Sequence, residues 1–164
     1  MTRIQQGVVL FRMLGAFAVS ACAENGALKA VSVEALDDTT TLQQNQTLTA
    51  LQTRVLVRNS GSRPVYLGPC GPDAQKQIGS HWVTVWTPVC GGGAWSTLGA
   101  RDSVVIPVQI SAFTQRNGYP QLDPRFVPGV FRLVFRVAEA PSPTQSHRAG
   151  FRFSTSFVVK GTSP

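Results

Sequence analysis

Apolar residues return at every second position through most of this chain, and no stretch sustains a helical period of 3.6. That alternation predicts strands with one buried and one wet face. Ala30–Leu36 aligns Val31, Val33 and Ala35, and Leu51–Asn59 aligns Leu51, Val55 and Val57 against Gln52, Arg54 and Arg58. Val65-Tyr66-Leu67 is a short run, and His81–Thr87 sets Val83 and Val85 opposite Trp82 and Trp86, so both of its faces are apolar. Ser103–Ile110 aligns Val104, Ile106, Val108 and Ile110, and Val130–Ala138 sets Phe131, Leu133, Phe135 and Val137 against Arg132 and Arg136. Phe151–Lys160 sets Phe151, Phe153, Phe157 and Val159 against Arg152, Ser154 and Ser156. Seven such runs, separated by Gly, Pro, Asn and Ser clusters, predict an all-β, antiparallel sandwich of two sheets.

Pro107 interrupts the fifth run on its outward side. Proline cannot donate to a ladder, so that strand is expected at an edge or at a bulge. The segment Ser111–Pro128 has no periodic pattern and is long for a connection inside a compact domain. It carries Arg116, Asn117-Gly118, Tyr119, Arg125 and Phe126, the residue mix of contact surfaces, and is the expected contact loop. The outward side of the last two runs presents Arg132, Arg136, Arg152 and Lys160 as a second candidate surface.

The N-terminus supplies an address. Arg3 and Arg12 precede an apolar run, Met13–Ala21, too short for the roughly 20 residues of a membrane span but suited to a signal segment. The run ends in Val19-Ser20-Ala21-Cys22, which resembles the bacterial lipobox. The resemblance implies cleavage before Cys22 and lipid attachment to it, and Ala23 implies outer-membrane sorting in a Gram-negative cell. Val19 stands where the family usually has Leu. Ala21-Cys22-Ala23 also reads as an ordinary signal-peptidase site, which would give a secreted protein. Cysteine parity bears on the choice. With a lipid on Cys22, Cys70 and Cys90 remain as a pair to be oxidised outside the cytoplasm. The expected organisation is residues 1–22 as signal, 23–27 as tether, 28–160 as one sandwich domain and 161–164 as tail.

Two further stretches carry a family resemblance. Val57-Arg58-Asn59-Ser60-Gly61-Ser62-Arg63-Pro64-Val65-Tyr66-Leu67 is similar to the B–C hairpin of bacterial immunoglobulin-like domains. Pro128-Gly129-Val130-Phe131-Arg132-Leu133-Val134-Phe135 resembles their entry to strand F, and Phe153–Val159 resembles strand G. Phe131 occupies the place of their corner tyrosine. The resemblance implies an immunoglobulin-like fold and little about function. BsuPI-like protease inhibitors are similar in length and alternation, which makes the Cys70–Cys90 loop an alternative inhibitory site.

No catalytic set emerges, and no enzyme activity or cofactor is expected. There is no G-x-S-x-G, and Gly91-Gly92-Gly93 is followed by neither Lys-Ser/Thr nor a helix pattern. His81 and His147 are too few for a closed zinc site. They leave an exported copper carrier as a third reading. Asp37-Asp38 reads as a turn, and Asn45-Gln46-Thr47 as an incidental sequon. Removing Arg3 and Arg12 lowers the formal charge from +7 to +5. The scattered basic residues argue against nucleic acid. They suit, at most, anionic glycans or lipid headgroups. The expectation is a non-enzymatic envelope protein, held on the lipid bilayer through acylated Cys22, whose sandwich binds an envelope protein or an anionic glycan.

Overall fold

The computed structural model describes residues 26–44, 48–113, 128–141 and 149–161. A single helical turn, α1 (Gly26–Lys29), leads into β1 (Val31–Ala35), β2 (Thr39–Thr41), β3 (Gln43–Gln44), β4 (Leu48–Asn59), β5 (Val65–Leu67) and β6 (Asp73–Ile78). The later strands are β7 (His81–Trp86), β8 (Ser96–Leu98), β9 (Ser103–Phe113), β10 (Gly129–Ala138), β11 (Ala149–Phe153) and β12 (Phe157–Lys160). They form two sheets. In the first, β4 lies between β9 on one side and β1 and β3 on the other. In the second, β10 is central, flanked by β11 and β12 on one side and by β5 and β6 on the other, with β7, β8 and β2 outside these. Among the described residues every strand pairing is antiparallel except β2 with β12. The inner faces share one core, in which Phe131, Phe157, Leu51, Ile110 and Leu133 are fully buried. This is the two-sheet β-sandwich that the alternation predicts.

All seven expected runs are strands, but the seventh is broken. Phe131 pairs with Phe157 on β12, whereas Val134, three residues on, pairs with Phe153 on β11, four residues back. One extra residue is therefore inserted, and an odd insertion turns the strand over. Phe157 and Val159 point into the core while Phe151 and Phe153 are exposed. This corrects the expectation that all four share a buried face. Ser154 makes the break tolerable. Its N–H donates to the Leu133 carbonyl at 2.9 Å, and its Oγ accepts the Leu133 N–H at 2.9 Å. Thr155 then reaches the other sheet: its N–H donates to the Val33 carbonyl at 3.3 Å and its Oγ1 accepts from Ala35 N at 2.9 Å.

Pro107 sits where a missing donor does no harm. Arg54, its register partner, spends both backbone groups on the opposite side: its carbonyl accepts from Leu36 N at 2.9 Å and its N–H donates to Asp37 at 2.8 Å. Arg54 and Pro107 are thus a non-hydrogen-bonded pair, and the proline nitrogen faces the open edge of β9. Farther along that edge the Ser111 carbonyl accepts Trp86 Nε1–H at 2.9 Å, so β9 offers other chains only an interrupted template.

Cys70 and Cys90 are disulfide-bonded. They flank the hairpin β6–β7, so the segment between them is a paired part of the second sheet with a turn at Gly79-Ser80. The Cys70–Cys90 segment of the alternative inhibitory reading is therefore largely this hairpin. Arg116, Tyr119, Arg125 and Phe126 of the expected contact loop lie outside the described residues, as do Cys22 and His147.

Candidate binding face

The outer face of the second sheet collects aromatic rings around two arginines. On β10, Arg132, Val134 and Arg136 alternate with the core residues Leu133, Phe135 and Val137. Register places Gln75 beside Arg132, Phe153 beside Val134 and Phe151 beside Arg136. The Arg132 guanidinium is held between two rings, with Cζ 4.4 Å from the Trp82 centroid and 4.1 Å from that of Phe153. Its Nε–H donates to Gln75 Oε1 at 2.8 Å. The Arg136 guanidinium lies over Trp95, with Cζ 5.4 Å from the ring centroid. Such pairs are attractive because the ring face carries the negative lobe of its quadrupole. Burial among the rings holds the Arg132 pKa below the ordinary guanidinium value, since the charged form loses hydration there. The arrangement therefore presents fixed positive charge framed by apolar rings, with Phe151 and Phe153 exposed. Asp73, the other register partner of Val134, is the carboxylate on this face.

Three of the four basic residues expected on this surface behave as expected. Arg132 and Arg136 face outward; Lys160 is exposed on β12. Arg152 turns away, because the inserted residue reverses β11: its Nε–H donates to the Leu28 carbonyl at 2.7 Å and its Nη1 to the Phe151 carbonyl at 2.8 Å. Trp82 and Trp95 are members that the basic pattern did not suggest. The signal for Trp82 was the double-faced apolar pattern of His81–Thr87, which requires something to lie on both sides of that strand.

A separate hollow of about 670 Å³ lies over the middle of β4, lined by Asp37, Thr39–Thr41, Gln52 and Arg54 on one side and by Pro107 and Gln109 on the other. It exists because β1 and β3 leave residues 51–54 of β4 without a ladder neighbour on the edge remote from β9. The side chains substitute: Thr40 Oγ1 donates to the Gln52 carbonyl at 2.6 Å, and Asp37 accepts from Arg54 N at 2.8 Å. Asp37 also accepts from Arg54 Nη2 at 2.7 Å and Nε at 3.3 Å. The hydrogen bonds from the Arg54 side chain and N–H hold the Asp37 carboxyl below its usual range. The charges of this pair are spent on each other, and what the hollow offers a ligand is hydroxyl and amide groups.

His81 is exposed at the start of β7, with Nδ1 3.1 Å from Ser80 Oγ. Among the described residues no three His, Cys, Asp or Glu side chains gather in a metal-binding group. None of the helical residues described forms a helix long and apolar enough to cross a membrane.

No family model matches the chain, and no curated protein matches it. Solved structures do. The Northeast Structural Genomics Consortium target SoR45 is 10% identical over 80% of this chain and 87% of its own, with a TM-score of 0.47. A Bordetella pertussis protein described as ApaA is 12% identical over 82% of this chain and 95% of its own, with a TM-score of 0.44. The ASH/PapD-like domain 7 of human CEP192 is 12% identical over 99% of this chain and 98% of its own, with a TM-score of 0.31.

Proposed function

We propose that this protein is a non-enzymatic binding or assembly domain of the cell envelope, anchored by a lipid on Cys22. The observation that carries the reading is the Cys70–Cys90 bond, which accounts for two of the three cysteines and leaves Cys22 at the end of the signal-like segment. A disulfide belongs to an oxidising compartment, and a segment such as Met13–Ala21 is what delivers a chain there. The binding role is supported by the arginine and aromatic face around β10, which the fold itself does not need for burial. Metabolic labelling with an alkyne fatty acid tests the anchor. The wild-type chain takes up label and Cys22→Ala takes up none; a mature chain beginning at Glu24 without an acyl group contradicts the reading.

A further inference from the structure

We propose that β11 and the adjoining outer face of β10 rest on the phospholipid headgroups of the leaflet that holds the Cys22 lipid, so that the sandwich is oriented on the membrane as well as tethered to it. This rests on the anchor reading above.

Chain geometry and surface chemistry point to the same strand. α1 is fastened to β11: the Leu28 carbonyl accepts Arg152 Nε–H at 2.7 Å, and the Leu28 side chain packs over Gly150, with Cδ1 3.4 Å from where a Cβ would stand. Cys22 precedes Gly26 by four residues. Four residues span at most about 14 Å when fully extended. A lipid on Cys22 therefore holds the β11 edge close to the bilayer, and of the two sides of that edge the outer one, opposite the α1 contacts, carries the exposed rings. β11 is also where large apolar side chains face outward, with Phe151 57% and Phe153 49% exposed. Behind them stand Arg132 and Arg136. Guanidinium groups pair with phosphate oxygens through two parallel hydrogen bonds, and exposed apolar side chains such as Phe bury themselves at the headgroup–acyl boundary of surface-bound segments. The carboxylate of Asp73 lies across Val134 from Phe153, on the side of β10 remote from β11. An acidic protein segment would also meet the arginines, but a short tether to the membrane places lipid there first.

The test separates this docking from acylation. The full chain carrying Cys22→Ser is mixed with vesicles of phosphatidylglycerol and phosphatidylethanolamine, and separately with phosphatidylcholine alone. The same is done with Phe151→Ser and Phe153→Ser added. The signal segment is common to both chains, so the difference between them reports the face. Both changes are at exposed positions, and an unchanged thermal midpoint verifies folding. The expected result is binding to the anionic vesicles that falls about tenfold or more without the two rings, and about fivefold with Arg136→Gln at low salt. Emission from Trp82 and Trp95 shifts to the blue on binding. Equal binding with and without the rings, or binding that ignores the anionic lipid, overturns the proposal. The mass of the wild-type mature chain reports acylation independently. An acylated chain without ring-dependent binding keeps the anchor and removes the docking; an unacylated chain with ring-dependent binding does the reverse.

Discussion

Asn59 holds two turns with one amide. Fully buried at the end of β4, it donates from Nδ2 to the carbonyls of Arg63 and Gly99, both at 2.8 Å, and accepts the Gly61 N–H on Oδ1 at 3.0 Å. Its own N–H donates to the Asp102 carbonyl at 2.9 Å, so the turn before β5 and the turn before β9 are locked together. Asn59→Ala strands these groups and is expected to cost about 2–4 kcal/mol, read from the urea midpoint. Asn59→Asp is expected to be no better, because a carboxylate cannot donate to two carbonyls. The turn itself was legible, since Asn-Ser-Gly-Ser-Arg-Pro punctuates two apolar runs. The bond to Gly99 was not, because it joins residues 40 apart in sequence. Asp37 is a similar case. Adjacent aspartates read as a turn, yet Asp37 completes the ladder of β4 through Arg54, 17 residues away. Because the hydrogen bonds from Arg54 depress the folded pKa of Asp37 below its ordinary value, its contribution is present above that ordinary value and is lost as pH falls through the lower folded value. Arg54 is largely exposed, so the effect is small. Asp37→Asn is expected to lower the thermal midpoint slightly at neutral pH, and the difference from wild type should vanish in strong acid.

Among the elements, alternation located β1, β4, β5, β7, β9, β10 and the β11–β12 run, but not β2, β3 or β8, although β8 buries Leu98 in the core. Alternation also missed β6, whose Asp-Ala-Gln-Lys-Gln-Ile sequence buries only Ala74 fully, because that strand is held by its neighbours β10 and β7 and by the disulfide at its base. The bond closes a loop spanning 20 positions. A loop of this length restricts the unfolded chain by about 3 kcal/mol in the entropy model. Cys70→Ala with Cys90→Ala should lower global stability by up to about that amount, and hydrogen exchange should accelerate most in β6–β7. The inserted residue between β11 and β12 was illegible for a different reason. Phe151, Phe153, Phe157 and Val159 keep one parity in sequence, and parity cannot reveal a bulge. Ser154 marks it only through bonds to Leu133, which depend on pairing. Ser154→Ala removes the acceptor of a buried N–H and is expected to cost about 1–3 kcal/mol, measurable by calorimetry.

At the scale of the molecule, each β10 face has its own task. Inward, Phe131 meets Phe157 at a centroid distance of 6.3 Å in the centre of the core; outward, Arg132 and Arg136 are framed by aromatic rings. The period-two pattern sufficed for the fold class, because burying one face of each strand is what the pattern encodes. The candidate face needed the pairing as well: Trp82, Arg132 and Phe153 come from three separated segments and meet only when β6–β7, β10 and β11 are assembled. The address proposed for the chain rests on the chemistry of its N-terminal residues alone, without a contribution from folding. Together these parts make the proposed molecule a disulfide-stapled sandwich held on a membrane through Cys22. An intact mass of the mature chain, extracted from membranes without reductant, is the decisive measurement. The expected mass is that of a chain that begins at an acylated Cys22 and is two hydrogens lighter than its fully reduced form. A mass corresponding to an unmodified chain beginning at Glu24, or to a chain with free Cys70 and Cys90, would contradict it.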